Sequence, residues 1–342
     1  IGYESLYTNN PTAIDNGNRN TAIGYQSLRA NTTGTNNIAL GYQSLISNST
    51  GANNIAIGNE ALRTMTIRSK FIAIGDSALA TTNATQPSVA VGYKTLRLAV
   101  IGSRNTAIGT EALTDLENAS GNTAIGHQAA YNLRTQSYNT AVGSEALFTQ
   151  SYATGFSSYN VAVGYRSLFN NEPTASTNGH QNTSIGGENM YFNTTGYGNT
   201  AIGYRVNYNN TATDHTISTF VGANIIISTN RSNINVLGYG VVNGQCTNNN
   251  QVLLGNTGIA QIRAQVTGIT AYSDARYKTN IAQNVAGLNF ITKLNPVTYN
   301  VRPTELHKIW GTPQEEVDRI DHSEIEQIKQ IQSVQKLQEI VN

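Results

Sequence analysis

The octapeptide TAIGYQSL at residues 21–28 is one copy of a phrase that returns throughout the first three quarters of the chain. Taking its Ile/Val/Leu as position zero, the phrase is centred on Ile1, Ile23, Leu40, Ile57, Ile74, Val91, Ile108, Ile125, Val142, Val163, Ile185, Ile202, Val221, Leu237 and Leu254, each followed by glycine. Most steps are seventeen residues; the steps from 142 to 163 and from 163 to 185 add four or five between copies. A fixed period with insertions in one place marks stacked supersecondary units whose loops fall on one side.

Equivalent side chains of stacked units lie above one another, so each column of the repeat reports an environment. The residue after the glycine (Tyr25, Tyr42, Asn59, Asp76, Tyr93, Thr110, His127) accepts any chemistry and is expected at the surface. The next (Gln26, Gln43, Glu60, Ser77, Lys94, Glu111, Arg166) takes either sign of charge, which requires solvation. Then comes a small column (Ser27, Ser44, Ala61, Ala78, Thr95, Ala112), read as a close approach to another backbone. The last, Leu28, Leu45, Leu62, Leu79, Leu96 and Leu113, is apolar. With the Ile/Val column this predicts two thin apolar columns per turn and a narrow core.

Period-two alternation around Asn-Thr-Ala-Ile predicts a short strand, with the glycine freeing the backbone for a corner. Too few residues separate that corner from the next Asn/Gly/Thr cluster to hold an amphipathic helix. The expected class is mainly β: a repeat β-solenoid or β-roll shaft with one rung per repeat and Asn and Thr ladders along the axis. Rungs about 4.8 Å apart would make fifteen repeats roughly 70 Å long. Because two thin columns bury little, the shaft is expected to be a homotrimer.

Composition narrows the function. Only 12% of the 342 residues are charged and the net charge is +1, so the basic stripe that nucleic acid requires is missing. Of 41 Asp, Glu, Lys and Arg residues, 12 fall in the last 39 positions, which predicts a domain boundary near the C-terminal end. Cys246 stands alone, and His127, His180, His215, His307 and His322 are scattered, so no disulfide, metal or cofactor is expected and the histidines read as surface or loop residues. No apolar run reaches the length of a membrane span. Asn-x-Ser/Thr triplets such as Asn31-Thr32-Thr33 are what chance yields in so Asn- and Thr-rich a chain. Ile1-Gly2 already stands inside a repeat, so the start reads as a cut.

The NTAIG phrase followed by Ser/Ala and Leu resembles the head repeats of trimeric autotransporter adhesins and the shafts of bacteriophage tail fibres. That resemblance covers about residues 1–258 and implies a trimeric β-roll. Residues 260–267 (AQIRAQVT) alternate as a half-buried strand would, placing a connecting strand within 259–272. The stretch SDARYKTNIAQNVAGLNFITKLNPVTY at 273–299 resembles the intramolecular chaperone, or peptidase S74, domain of tailspikes and tail fibres. Ser273, Asp274, Arg276 and Lys278 match its SDxRxK signature, and Gly287, Leu288, Phe290, Ile291, Leu294, Pro296, Val297 and Tyr299 fit its GLxFIxxLxPVxY run.

The resemblance implies a domain over 273–342 that assists trimer assembly and then cuts itself off, at most a single-turnover endopeptidase with Ser273 as nucleophile and Lys278 as base. A serine hydroxyl needs such a base, and a lysine can serve once desolvation lowers its pKa. Asp274 and Arg276 would orient the scissile peptide or pair with each other. Thr312-Pro313-Gln314-Glu315 forms a capping box with proline at the first helical position, predicting a short helical segment. Apolar residues then recur every three positions from Ile325 to Ile340, which is no heptad. The family continues with a further strand and a coiled coil, so the domain reads as truncated at Asn342.

The expected protein is therefore an extracellular fibre or adhesin, on a virion or a cell surface, that meets a host-cell surface glycan or protein receptor. The alternative is a carbohydrate-binding head without self-cleavage, in which Tyr3, Tyr25, Tyr42, Tyr93, Tyr165 and Tyr204 stack on sugars. A polysaccharide-cleaving spike would need a fixed carboxylate pair, and Glu60, Glu111 and Glu145 lie in a column where other residues substitute freely.

Overall fold

In a computed structural model, residues 1–260 are described except 11, 12, 15, 83, 100, 101, 151–154 and 209–213. The chain divides into two units, Ile1–Arg263 and Ala264–Asn342, and the described residues all belong to the first.

That unit is a parallel β-solenoid of about 13 turns. Three-residue strands such as Thr21–Ile23, Ile38–Leu40 and Ile55–Ile57 add one after another into a single fourteen-stranded parallel sheet. Their register is that of the repeat: Ile23 pairs with Leu40, Leu40 with Ile57, and so on through Val142 with Val163 and Leu237 with Leu254. Past residue 204 the phrase loosens in sequence, yet the register holds and the strands lengthen, to Thr219–Ala223 and Ile234–Tyr239.

The glycine makes the corner. Gly24, Gly41, Gly58 and Gly109 sit at φ of 132°, 129°, 129° and 128°, a region essentially reserved for glycine. Two residues later and again at the Leu position the backbone is left-handed, as at Gln26 (φ 53°) and Leu28 (φ 51°). A leucine held there costs of order 1 kcal/mol. Complete burial of Leu28, Leu45, Leu62 and their equivalents offsets that cost.

The core departs from the sequence expectation at one column. The Ile/Val residues do not point inward: Ile23, Ile57 and Ile202 are 43%, 36% and 40% exposed. The buried strand residue is the alanine before them, Ala22, Ala39, Ala56, Ala73, Ala90, Ala107 and Ala124. The coil is so thin that an inward strand position has room for a methyl group, and the corner leucines fill the remainder. Only at the last turns does the column enlarge, to Phe220 and Val236. The small column is also buried, and the backbone it approaches is that of its own coil: the Thr95 hydroxyl donates to the Gly109 carbonyl at 2.8 Å.

The asparagine half of the expected ladder is present and lies inside, while Thr21, Thr106, Thr123 and Thr140 face outward. The Asn37 N–H donates to Asn20 Oδ1 at 2.9 Å, Asn54 to Asn37 at 3.0 Å, Asn139 to Asn122 at 2.8 Å and Asn182 to Asn160 at 2.9 Å. Most of these side-chain amides also reach a carbonyl further along, as Asn37 Nδ2 does to Gly51 at 2.8 Å. The buried amides are thereby satisfied on both sides, as burial demands.

Candidate functional site

Two surfaces of the solenoid carry chemistry. The first is the outer face of the sheet. Along it run the position-zero residues and those two places earlier, Thr21, Ile38, Ile55, Ile72, Val89, Thr106, Thr123 and Thr140, so that every outward strand side chain in these turns is β-branched or leucine. The face is uncharged from Thr21 to Val142, because the small residues of each strand point inward and the large ones outward.

The second surface is the corner after the glycine, where the charged column forms a ladder. Gln26 Nε2 donates to Glu4 at 2.8 Å and Gln43 Nε2 to Gln26 Oε1 at 3.0 Å. Gln128 binds Glu111 at 2.7 Å. The Gln26 amide, with Arg29 beside it, holds the Glu4 carboxyl below the usual carboxylate range. Further on, Arg166 pairs with Glu145 at 2.7 Å and Arg205 pairs with Glu188. The Glu145 carboxylate raises the Arg166 pKa further. Most of these residues are half-buried rather than freely solvated, and mixed charge is tolerated where an acid meets a donor on the adjoining rung, as Glu4, Glu111, Glu145 and Glu188 do. Glu145 and Glu188 are thus held in ion pairs, which is not how a hydrolytic carboxylate pair is presented.

Three columns further on lies an aromatic ladder that the repeat did not announce. Tyr131, Phe148, Phe169 and Tyr191 stack with ring centroids 5.3, 4.9 and 4.7 Å apart and planes within 7°. Arg166 lies 5.0 Å from the Tyr165 ring centre and 5.5 Å from that of Phe169. The column is Arg29, Ile46, Arg63, Ala80, Arg97 and Thr114 in earlier copies, so it carries no signature when all copies are read together. The tyrosines after the glycine are exposed as expected, but Tyr3, Tyr25 and Tyr42 stack on one another at 5.3 Å. Their faces are spent on each other, leaving edges toward solvent, which counts against a row of sugar-stacking platforms.

Among the described residues no group of three or more His, Cys, Asp or Glu is gathered for a metal, and no helix is long and apolar enough to cross a membrane. Cys246 is buried. His215 lies between strands, as the loop reading has it, but it is fully buried rather than at the surface.

Ser273, Asp274, Arg276 and Lys278 lie outside the described residues, as do the expected connecting strand beyond residue 260 and the helical segment. Their assignment rests on sequence. Residues 273–320 match the family model Peptidase S74, chaperone of endosialidase. The chain carries a chaperone-of-endosialidase domain. The matched segment opens at Ser273 itself, so the SDxRxK residues and the whole run from Gly287 to Tyr299 fall inside this chaperone domain. No curated protein and no solved structure matches the chain.

Proposed function

We propose that the chain is a structural fibre protein of the tail-fibre or cell-surface adhesin type, whose solenoid assembles as a homotrimer and whose C-terminal chaperone domain, 273–342, aids assembly and is then released by one self-inflicted cut. The observation that carries the reading is the outward β-branched face of the sheet. A position about 40% exposed that becomes covered gains roughly 1 kcal/mol. Repeated over more than a dozen strands in two columns, the gain exceeds the 4–15 kcal/mol that association costs. Threefold closure gives each copy the same covered face and leaves the charged and aromatic corner to the solvent. A chaperone-of-endosialidase domain following the shaft supports the same reading, because three parallel chains must meet in register before so thin a coil can close.

The cut follows from Ser273 and Lys278. Neutral Lys278 takes the Ser273 hydroxyl proton as Oγ attacks the Tyr272 carbonyl carbon. The Tyr272 C–N bond then breaks, the Ser273 nitrogen leaves as an amine carrying a proton, and an ester joins Tyr272 to Oγ. Water opens the ester, restoring the hydroxyl and freeing a carboxylate on Tyr272. Attack at the Ser273–Asp274 peptide is the alternative bond. Asp274 and Arg276 hold the strand in place or pair with each other. The proposal places the trimer on a virion or cell surface, with a host-cell surface glycan or protein as receptor.

The test is mass spectrometry of the protein as its own gene encodes it, beside the Ser273→Ala and Lys278→Arg variants, with sedimentation of the solenoid in parallel. Arginine stays protonated and cannot act as base. Release of the C-terminal piece from either variant at the wild-type rate would rule out the dyad. A folded monomeric solenoid would rule out the trimer.

A further inference from the structure

One side chain ties the last turns of the solenoid together, and it titrates. In most copies, the column whose backbone carbonyl receives the ladder asparagine holds a small residue, as at Gly34, Gly51, Ala119, Gly179 and Gly196. His215 takes that place in a later turn, and its carbonyl accepts from Asn199 Nδ2 at 2.6 Å. Its imidazole turns into the core, fully buried, edge-on to Phe220 with centroids 5.5 Å apart.

Both ring nitrogens engage the following turn with opposite polarity. The Arg231 backbone N–H donates to Nδ1 at 3.1 Å, so Nδ1 must carry a lone pair. Nε2 lies 3.3 Å from the Ile227 carbonyl oxygen, so the ring's one hydrogen belongs there. This arrangement admits the neutral tautomer alone. A second proton would set N–H against N–H at Arg231, break the bond and leave a charge in an apolar pocket.

We propose that His215 is an acid-sensitive pin: neutral, it locks the turn containing it onto the turn of residues 221–236, and its protonation releases these last turns while the earlier ones stay closed. The neighbouring charges do not cancel the effect. The Asp214 carboxylate favours the imidazolium, but it accepts from the Thr194 hydroxyl at 2.7 Å, the Thr195 N–H at 2.9 Å and the Asn230 amide at 3.4 Å, which share its charge. The Arg231 side chain opposes a second cation. Burial outweighs the pull of the Ile227 carbonyl and of Asp214, and holds the imidazole below its ordinary value.

The sign follows. The unfolded histidine titrates near about 6.5 and the folded one lower, so the opened state binds the proton first. Stability of these turns is complete above about 6.5 and is lost as pH falls through that value toward the folded pKa, with opening rising by at most about tenfold per pH unit. pH 5 lies between the ordinary values of histidine, about 6.5, and of Asp and Glu, about 4. The turns affected are those that precede the chaperone domain in sequence.

The experiment is hydrogen exchange with mass spectrometry on the whole chain at pH 7.5 and pH 5, corrected for intrinsic exchange, comparing peptides within 214–232 with peptides within 21–45. The expected result is opening at 214–232 that grows on acidification and disappears in His215→Asn, whose Oδ1 can accept from Arg231 without titrating. An undiminished acid response in His215→Asn overturns the proposal. Should that variant not fold, nitrogen NMR of the wild type decides: a His215 ring titrating at or above its ordinary value also overturns it.

Discussion

Replacing Gly109 by alanine tests the corner that the fold turns on. Gly109 has φ 128°, and an added Cβ would run into the Gly126 carbonyl of the next rung, with the carbonyl carbon only 2.7 Å away. The strained backbone costs about 1–3 kcal/mol. Overpacking adds about 1–3 kcal/mol, since the obstacle is backbone and cannot rotate away. Alanine returns about 0.4–1 kcal/mol by stiffening the unfolded chain. The expected net loss is therefore about 1–5.5 kcal/mol. Two controls bracket it. Gly240 also has positive φ, at 64°, but a Cβ there meets only the Asn256 side chain at 3.5 Å, so Gly240→Ala should cost about 1 kcal/mol or less. Glu111→Lys removes one hydrogen bond, from Gln128, on a half-buried edge and should cost about 0.5–1.5 kcal/mol. In a stacked array the damage stays near the altered rung, so the assay is guanidinium unfolding followed by hydrogen exchange in peptides from residues 91–142. Gly109→Ala within 1 kcal/mol of wild type, or no worse than Gly240→Ala, would refute the account of the corner.

The other expectations concern the face, the ladder and the cut. Ile57→Asp puts a carboxylate on the outward sheet face; it should weaken the proposed trimer at least about tenfold by sedimentation, with the circular dichroism of the coil lost over the same range of dilution. Asn122→Leu strands the Gln136 carbonyl and the Asn139 N–H inside the coil, and should cost about 2–4 kcal/mol in denaturant, against about 0.5 kcal/mol or less for Thr50→Ser at an exposed bend. Ser273→Ala and Lys278→Arg should each leave the protein uncut by mass spectrometry, with trimers still formed.

The register was legible in the sequence because its cause is visible there. A backbone at φ near 130° packed against the next rung's carbonyl excludes every side chain, so glycine stands on glycine in each copy. The facing of the strand was not legible. Period-two alternation says that Ala22 and Ile23 lie on opposite sides, but which is inside depends on the width of the coil, and width is set by how far the chain travels after Leu28. Assuming the larger residue to be inside inverted the assignment. The aromatic ladder escaped for another reason: Phe148, Phe169 and Tyr191 share a column with Arg63 and Ala80, so the signal exists only in consecutive late copies. His215 looked solitary because its partners, the Ile227 carbonyl and the Arg231 N–H, are backbone groups that no side-chain motif reveals.

The insertions show how such a coil varies its surface without losing register. In three copies without an insertion there, at Asn31, Asn48 and Asn193, a buried asparagine eight places after position zero closes onto a glycine carbonyl three residues on, as Asn48 does to Gly51 at 3.1 Å. Where the step from Val163 to Ile185 is 22 rather than 17 residues, Asn171 still reaches the equivalent carbonyl, Gly179, at 2.8 Å, now eight residues on. The step from Ile1 to Ile23 does the same with Asn9 and Gly17 at 2.9 Å. The extra five residues leave and re-enter the coil between two atoms that stay in contact, so they cost little more than loop closure, which grows slowly with length. The asparagine is therefore both a rung of the core and the clasp of a loop. A lineage of such proteins can lengthen or replace loops at that point while the glycine corners and the sheet face, on which the proposed assembly of three chains would depend, remain untouched.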